Sequence, residues 1–428
     1  MATVTIGSFT GVNLDAIRIE NLLEGTIITA EATVLSIQYA GSVRDVLTGT
    51  FTYNTAGALT GGVLNQLEEF NGDASAFRIS GLSTPIPSFL EWVVAGDTAS
   101  ALASFFAGPD TFTGGTGSDV LRGFAGDDTM TGGAGNDSLE GGAGTDIAIF
   151  GGPARNYGWT LNANASWTVT DYRVGAPDGV DTLTTIETLQ FSDGPVNLSA
   201  TDNTQILKTA FDHILRFAPT AGADAAFLSG LTAQVAAGTT TRAAAIGQIV
   251  QRADASTAVA TLSYQFFTGS TPSGEGLDYL VSPVGGNANN LNSAYYQSFN
   301  LENRYINFAV NLGKLGAGAQ AFTAEYGNLS LLDATSRAYA KIYGSTPTDT
   351  KVHALVDPRA DYFAYYGQDG ANGIGTKAAM VGWLLAEAVK ADIGTYATSS
   401  TAYFTDLADG AAYAVNMVGV YPGTAFTG

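Results

Sequence analysis

The feature that most restricts what this chain can become is a nine-residue period within residues 108–150. In register the segment reads GGTGSDVLR, GFAGDDTMT, GGAGNDSLE and GGAGTDIAI. Asp119, Asp128, Asp137 and Asp146 recur at every ninth position, and Asp110 extends the series one step back. Leu121, Met130, Leu139 and Ala148 follow each aspartate by two residues, with Phe112 in the same phase. A glycine-rich linker would not keep one aspartate and one aliphatic residue in step through four repeats. The Gly-Gly-x-Gly-x-Asp half predicts a tight turn, because glycine takes positive φ and close backbone approach at little cost. The remaining half predicts a three-residue strand with a single apolar side chain pointing inward. Two nonapeptides close one coil, so turns eighteen residues apart stack on the same side. The expected architecture is a parallel β-roll.

Stacking of that kind gathers oxygen. It pairs Asp119 with Asp137 and Asp128 with Asp146. Asp110 with Asp128 is a less regular third pair, since Ala107-Gly108-Pro109 departs from the glycine pattern. Turn carbonyls would come from Gly114, Gly115, Gly117, Gly123, Gly126, Gly132, Gly133, Gly135, Gly141, Gly142 and Gly144. Carboxylates and carbonyls together make an all-oxygen cage for a hard cation, and Ca²⁺ is the expected occupant, as several ions. Phe124 replaces the second glycine of its repeat and is expected to distort one site. The nonapeptide resembles the calcium-binding repeat of RTX proteins. A core of one residue per strand cannot offset backbone entropy while unpaired aspartates repel. Residues 108–150 are therefore expected to be disordered in chelator and to fold at roughly 10⁻⁴–10⁻³ M calcium, the range of extracellular modules.

Composition excludes other chemistries. The 428 residues hold 39 acidic and 18 basic side chains, a net charge of −21, with no cysteine and two histidines. Such a chain repels phosphate backbones, so no nucleic-acid partner is expected. Disulfides, thiol nucleophiles and cysteine zinc sites are ruled out. The charge is uneven: residues 1–200 carry 22 acids against six bases, and residues 201–428 carry 17 against 12. No secretory signal or membrane span is expected, and the apolar stretch Ala378 to Val389 reads as a buried helix.

Residues 1–107 read as a β-rich module, with strands at Thr26–Ile28, Val34–Tyr39, Thr50–Tyr53 and Phe77–Ser80 and a hairpin punctuated by Gly57 and Gly61-Gly62. A helix is expected from Pro87 to Ala103, and no chemistry is evident in the module. Residues 151–201 read as a β cap, with strands at Trp159–Leu161 and Trp167–Thr170 and a turn at Pro177-Asp178-Gly179. The string from Asp181 through Glu187 to Gly194 resembles the segment that follows the repeats in RTX proteins, and its carboxylates are expected to be solvated or structural.

Residues 202–428 change to helical periodicity, as at Ile206, Leu207, Phe211, Ile214 and Leu215, and predict an all-α domain. An internal echo pairs Tyr264–Pro272 with Tyr339–Pro347, each a helix end followed by Gly-Ser-Thr-Pro. FFTGSTPSGEGLDYLV and LNSAYYQSFNLENRYINFAVNL, between Tyr264 and Asn311, resemble the anchoring domain of the surface-layer (S-layer) protein of stalked alphaproteobacteria. The resemblance spans roughly residues 205–425. It implies docking onto the O-polysaccharide of lipopolysaccharide on the outer surface of a Gram-negative cell, with export by type I secretion. The order departs from that family, whose anchor lies at the N-terminus. Candidate saccharide contacts are Asn292, Tyr295, Tyr296, Asn303, Arg304, Tyr305, Tyr365 and Tyr366, within a set enriched in asparagine that includes Asn287.

Catalytic motifs are absent: there is no His-Glu-x-x-His, Gly-x-Ser-x-Gly or P-loop. His213 is expected on a helix surface and His353 in a loop. The sequence thus predicts a non-enzymatic, calcium-dependent, secreted extracellular protein, S-layer-like or S-layer-associated, which meets lipopolysaccharide and possible further copies of itself or an S-layer protein. The alternative is a secreted, calcium-stabilised enzyme acting on surface polysaccharide.

Overall fold

The computed structural model describes residues 1–391, 393 and 394, apart from 8–10, 174, 199–202, 220–221, 271 and 283–288. Asn287 and residues 395–428 of the stretch that resembles the S-layer anchor lie outside the described residues. The chain is β-rich up to about residue 200 and helical beyond it. It divides into two compact units: Met1–Pro153 with Trp159–Asp171 and Gly175–Ala200, and Ala154–Gly158 with Tyr172–Val174 and Thr201–Gly428.

The first unit opens with β1 (Thr3–Ile6), followed by the antiparallel meander β2 (Thr26–Ala30), β3 (Val34–Gln38), β4 (Val43–Tyr53), β5 (Leu59–Asn71) and β6 (Ala74–Pro85). Two short 3₁₀ turns, Leu14–Ala16 and Ile19–Leu23, join β1 to β2. The strands β4 to β6 run well beyond the short segments expected. Gly62, at φ +113 beside the Thr50 carbonyl, lets β5 run on between two register shifts, at Thr48/Gly49 and Thr52/Tyr53, where propensity reads a break. The single helix expected at Pro87–Ala103 is two, α1 (Ile86–Ala95) and α2 (Thr98–Phe105). Gly96 ends the first in a left-handed conformation, and the Asp97 carboxylate caps the second by accepting from the Ser100 amide.

The repeats follow as three-residue strands, β7 (Thr111–Thr113), β8 (Val120–Arg122), β9 (Thr129–Thr131), β10 (Ser138–Glu140) and β11 (Ile147–Ile149). Odd and even strands form separate parallel ladders. Phe112 pairs with Met130 and Met130 with Ala148, while Leu121 pairs with Leu139, always eighteen residues apart. Each contributes one fully buried side chain. The column starts earlier than the repeats, because β1 runs parallel to β7 and sets Val4 against Phe112. It also ends later. After β12 (Tyr157–Leu161) and β13 (Trp167–Asp171), β14 (Val180–Thr184) places Leu183 on Leu139, and β15 (Thr188–Phe191) places Leu189 on Ala148. β16 (Gly194–Asn197) closes the edge antiparallel to β15.

The second unit packs α3 (Asn203–Leu215), α4 (Gly222–Ala236), α5 (Arg242–Ala253), α6 (Thr257–Thr268), α7 (Gly274–Val281), α8 (Ala294–Gln297), α9 (Leu301–Val310), α10 (Ala319–Tyr326), α11 (Leu331–Tyr343), α12 (Asp349–Val356), α13 (Ala360–Gly367) and α14 (Ile374–Ala391). α14 is its axis, with every residue from Gly375 to Ala386 buried. Gly382 allows the approach to α9, since a Cβ there would meet the Tyr305 carbonyl oxygen at 2.6 Å. Among the described residues no helix is long and apolar enough to cross a membrane. In the echoed segments Gly269 and Gly344 end α6 and α11 at φ +75 and +74. Pro272 and Pro347 stand immediately before the capping residues Ser273 and Thr348 of the next helices.

Candidate metal centre

The five repeat aspartates share one arrangement. The Oδ1 atoms of Asp128, Asp137 and Asp146 accept from the backbone amides of Asp110, Asp119 and Asp128, each at 2.8 Å and eighteen residues apart. Upstream, the amides of Ala2 and Val12 donate to Asp110 and Asp119. Each carboxylate therefore pins one coil to the preceding one through a charge-assisted bond. All five are at most 3% exposed.

The second carboxylate oxygens are the unusual part. Oδ2 of Asp110, Asp128, Asp137 and Asp146 is buried and meets no hydrogen-bond donor, whereas Oδ2 of Asp119 accepts from the Gly115 amide at 2.8 Å. These atoms face the first glycines of the turns: a Cβ on Gly123, Gly132 or Gly141 would strike Oδ2 of Asp128, Asp137 or Asp146. A Cβ on Gly123 would also strike the Gly141 carbonyl oxygen, and one on Gly114 the Gly132 carbonyl oxygen. Carboxylate and carbonyl oxygens thus converge on the space that glycine leaves open. The other turn glycines keep the coils in close contact, as where Gly133 abuts the Gly115 carbonyl, Gly135 the Gly117 backbone and Gly144 the Gly126 carbonyl. This donor set is oxygen only and suits a hard, large cation. No group of three or more His, Asp or Glu side chains that could hold a metal ion occurs among the described residues, so carbonyls must complete any coordination.

Burial raises every one of these carboxyls. Asp128 is pushed up to about 7 by desolvation, reinforced by the charges of Asp146, Asp110 and Asp127. Asp137 reaches about 6 through the same burial, with Asp119 and Asp178 adding to it. Asp110, Asp119 and Asp146 rise for the same first reason. A column of buried carboxyls favours its neutral form until a cation compensates it.

Two ladder residues were not legible as such. Asp181 is 2% exposed, and its Oδ1 accepts from the Asp137 amide at 2.8 Å. Glu187 accepts through Oε2 from the Asp146 amide at 2.8 Å. Of the two expected roles, solvated or structural, Asp181 takes the structural one, and burial pushes its carboxyl up to about 8. The available signal was the acid-x-Leu phase in Asp181-Thr-Leu183 and Glu187-Thr-Leu189, which repeats the aspartate-to-aliphatic spacing after an insertion. Phe124 holds the left-handed turn position that glycine occupies in the neighbouring repeats. It adopts φ +65 where Gly133 and Gly142 adopt +97 and +104, and its ring stacks on Phe106 with centroids 6.0 Å apart.

In the helical unit the saccharide candidates separate by exposure. Tyr296 and Tyr305 are fully buried in the core and present no ring face to solvent, which removes them as contacts. Arg304 is committed to the carbonyls of Phe299 and Ala255 at 3.2 and 2.9 Å. Asn303 accepts from the Tyr362 hydroxyl, and the Asn292 amide donates to the Val281 carbonyl. Tyr295 and Tyr365 are exposed by 57% and 73%, each edge-on to a neighbouring tyrosine, Tyr296 and the half-buried Tyr366. His213 is fully buried, contrary to expectation. Its Nδ1 lies 2.8 Å from the Thr209 carbonyl and its Nε2 3.3 Å from that of Tyr157. His353 lies within α12, beside Asp357, and not in a loop.

No curated protein matches the chain at a significant level. Two family models do. Residues 106–139 and 123–152 match the RTX calcium-binding nonapeptide repeat, and residues 256–427, in the C-terminal half, match the RsaA N-terminal domain of an S-layer protein.

Proposed function

We propose that this is a calcium-dependent, secreted cell-surface protein. Its repeats form a β-roll that folds around Ca²⁺, capped by residues 151–201. Its helical half attaches to the O-polysaccharide of outer-membrane lipopolysaccharide, and the chain leaves the cell by type I secretion. The observation that carries this reading is the ladder of buried carboxylates with donor-free oxygens, in a chain that also matches an S-layer domain. Metal-driven folding fits unfolded export, since the roll would gain its compensating cation only outside the cell. Among the saccharide candidates, Tyr295 and Tyr365 are the exposed aromatic faces that could meet sugar. The protein binds and assembles, and does not catalyse.

Binding of residues 201–428 to smooth and rough lipopolysaccharide tests the attachment. Retention on smooth material alone is expected. Equal binding to both, or to neither, overturns it.

A further inference from the structure

The first unit holds a cavity of about 410 Å³, walled by β4–β6 on one side and residues 11–22 on the other. Asp45 and Glu69 lie on its floor, directly opposite each other in the β4–β5 register, and Phe77 of β6 is next in the row. Like charges facing each other across strands weaken a sheet, so this pair costs the fold something. Asp45 is 9% exposed, and its Oδ2 accepts from the Tyr39 hydroxyl at 2.7 Å. Among the described residues no donor meets Asp45 Oδ1 or the Glu69 carboxylate. Burial raises both carboxyls, and the Asp45 charge raises Glu69 further.

Acceptors held open in a cavity wall call for a ligand rich in donors. The remaining wall narrows its chemistry. Arg18, whose Nη1 donates to the carbonyls of Asp15 and Ile17 at 2.7 Å, adds a positive charge to the wall. Asn21 adds an amide, and Leu22 with Phe77 adds apolar surface. A free amine would be drawn to the acids and repelled by Arg18. Hydroxyls alternating with C–H faces match acceptors, donors and apolar patches together. We infer that this cavity is a binding site for an uncharged mono- or disaccharide, separate from any sugar contact in the helical unit and independent of the calcium reading.

Saturation-transfer NMR and calorimetry on the full chain in calcium test it. The sugars are glucose, galactose, mannose, rhamnose, N-acetylglucosamine and their β-linked disaccharides, with putrescine as the charged control. At least one sugar is expected to bind. Asp45→Asn and Glu69→Gln should each weaken it by about tenfold or more, as expected for loss of a charged hydrogen-bond acceptor. Both variants relieve like-charge repulsion, so their thermal unfolding should be unchanged or raised, which separates lost binding from lost folding. Leu22→Trp should abolish binding by filling the wall, and Tyr365→Ala should leave it intact. The inference fails if no sugar binds, if putrescine binds in preference, or if affinity survives both carboxylate variants. Loss on Tyr365→Ala alone would also overturn it, by placing the sugar in the helical unit.

Discussion

The repeat segment and helix α14 solve opposite problems. Along α14, Ala378, Ala379, Met380, Val381, Trp383, Leu384, Leu385 and Ala386 are all buried, so one helix carries a continuous apolar surface into its core. The repeats bury one side chain per nine residues, and beside it one carboxylate. The helix needs nothing but neighbours. The repeats need a counter-charge, because hydrogen bonds to the preceding coil use only one oxygen of most of their carboxylates. Stability in the first case is built into the chain, and in the second it is set by the surroundings.

The sharpest way to break this contrast is to remove carboxylates. Asp128→Ala with Asp137→Ala should abolish calcium-induced folding of the repeats and leave the melting of the helical unit unchanged. Calorimetry with and without EDTA checks this, through the loss of one calcium-dependent transition. The converse is Gly382→Leu, where a side chain would meet Tyr305 and Ile306 backbone atoms within 2.8 Å. It should destabilise the helical unit by about 1–3 kcal/mol, with no dependence on calcium. Urea denaturation followed by tryptophan fluorescence measures it.

Acidity gives a third, smaller effect with an inverted sign. The folded repeats hold Asp128 near 7, Asp137 near 6 and Asp181 near 8, all above an unfolded aspartate. In chelator the native state therefore binds more protons, and its stability falls as pH rises from about 4 towards 8. Far-ultraviolet circular dichroism in EDTA should show the repeats regaining β structure as pH is lowered from 8 to 5. In calcium the order should reverse, since protons then compete with the metal. Least of all, Phe124→Gly should change stability by under about 1 kcal/mol, because relief of a left-handed phenylalanine offsets the lost stack on Phe106.

The repeat was the most legible part of the chain because its constraints are local. Glycine, aspartate and leucine each have one job within nine residues, and the pairing of Leu121 with Leu139 follows from counting. The ends of the ladder were hidden because they are not. Val4 joins from the N-terminus and Leu183 from beyond a 44-residue gap, and neither carries the glycine signature. The long strands β4 to β6 were read as fragments, since their internal glycines and polar residues look like breaks by propensity, whereas adjacent antiparallel strands carry the ladder through them. His213 looked like a surface residue for a similar reason: its neighbour Tyr157 lies 56 residues away. Among the sugar candidates, aromatic and amide composition could not tell the core residues Tyr296 and Tyr305 from the exposed Tyr295 and Tyr365.

The central claim is that calcium closes the ladder. Amide hydrogen exchange at Asp110, Asp119, Asp128 and Asp137, whose N–H groups donate to the next carboxylate, tests it most directly. The account predicts strong protection at roughly millimolar calcium, lost in EDTA at neutral pH, while α14 stays protected in both. Equal protection of the four amides with and without calcium would contradict it.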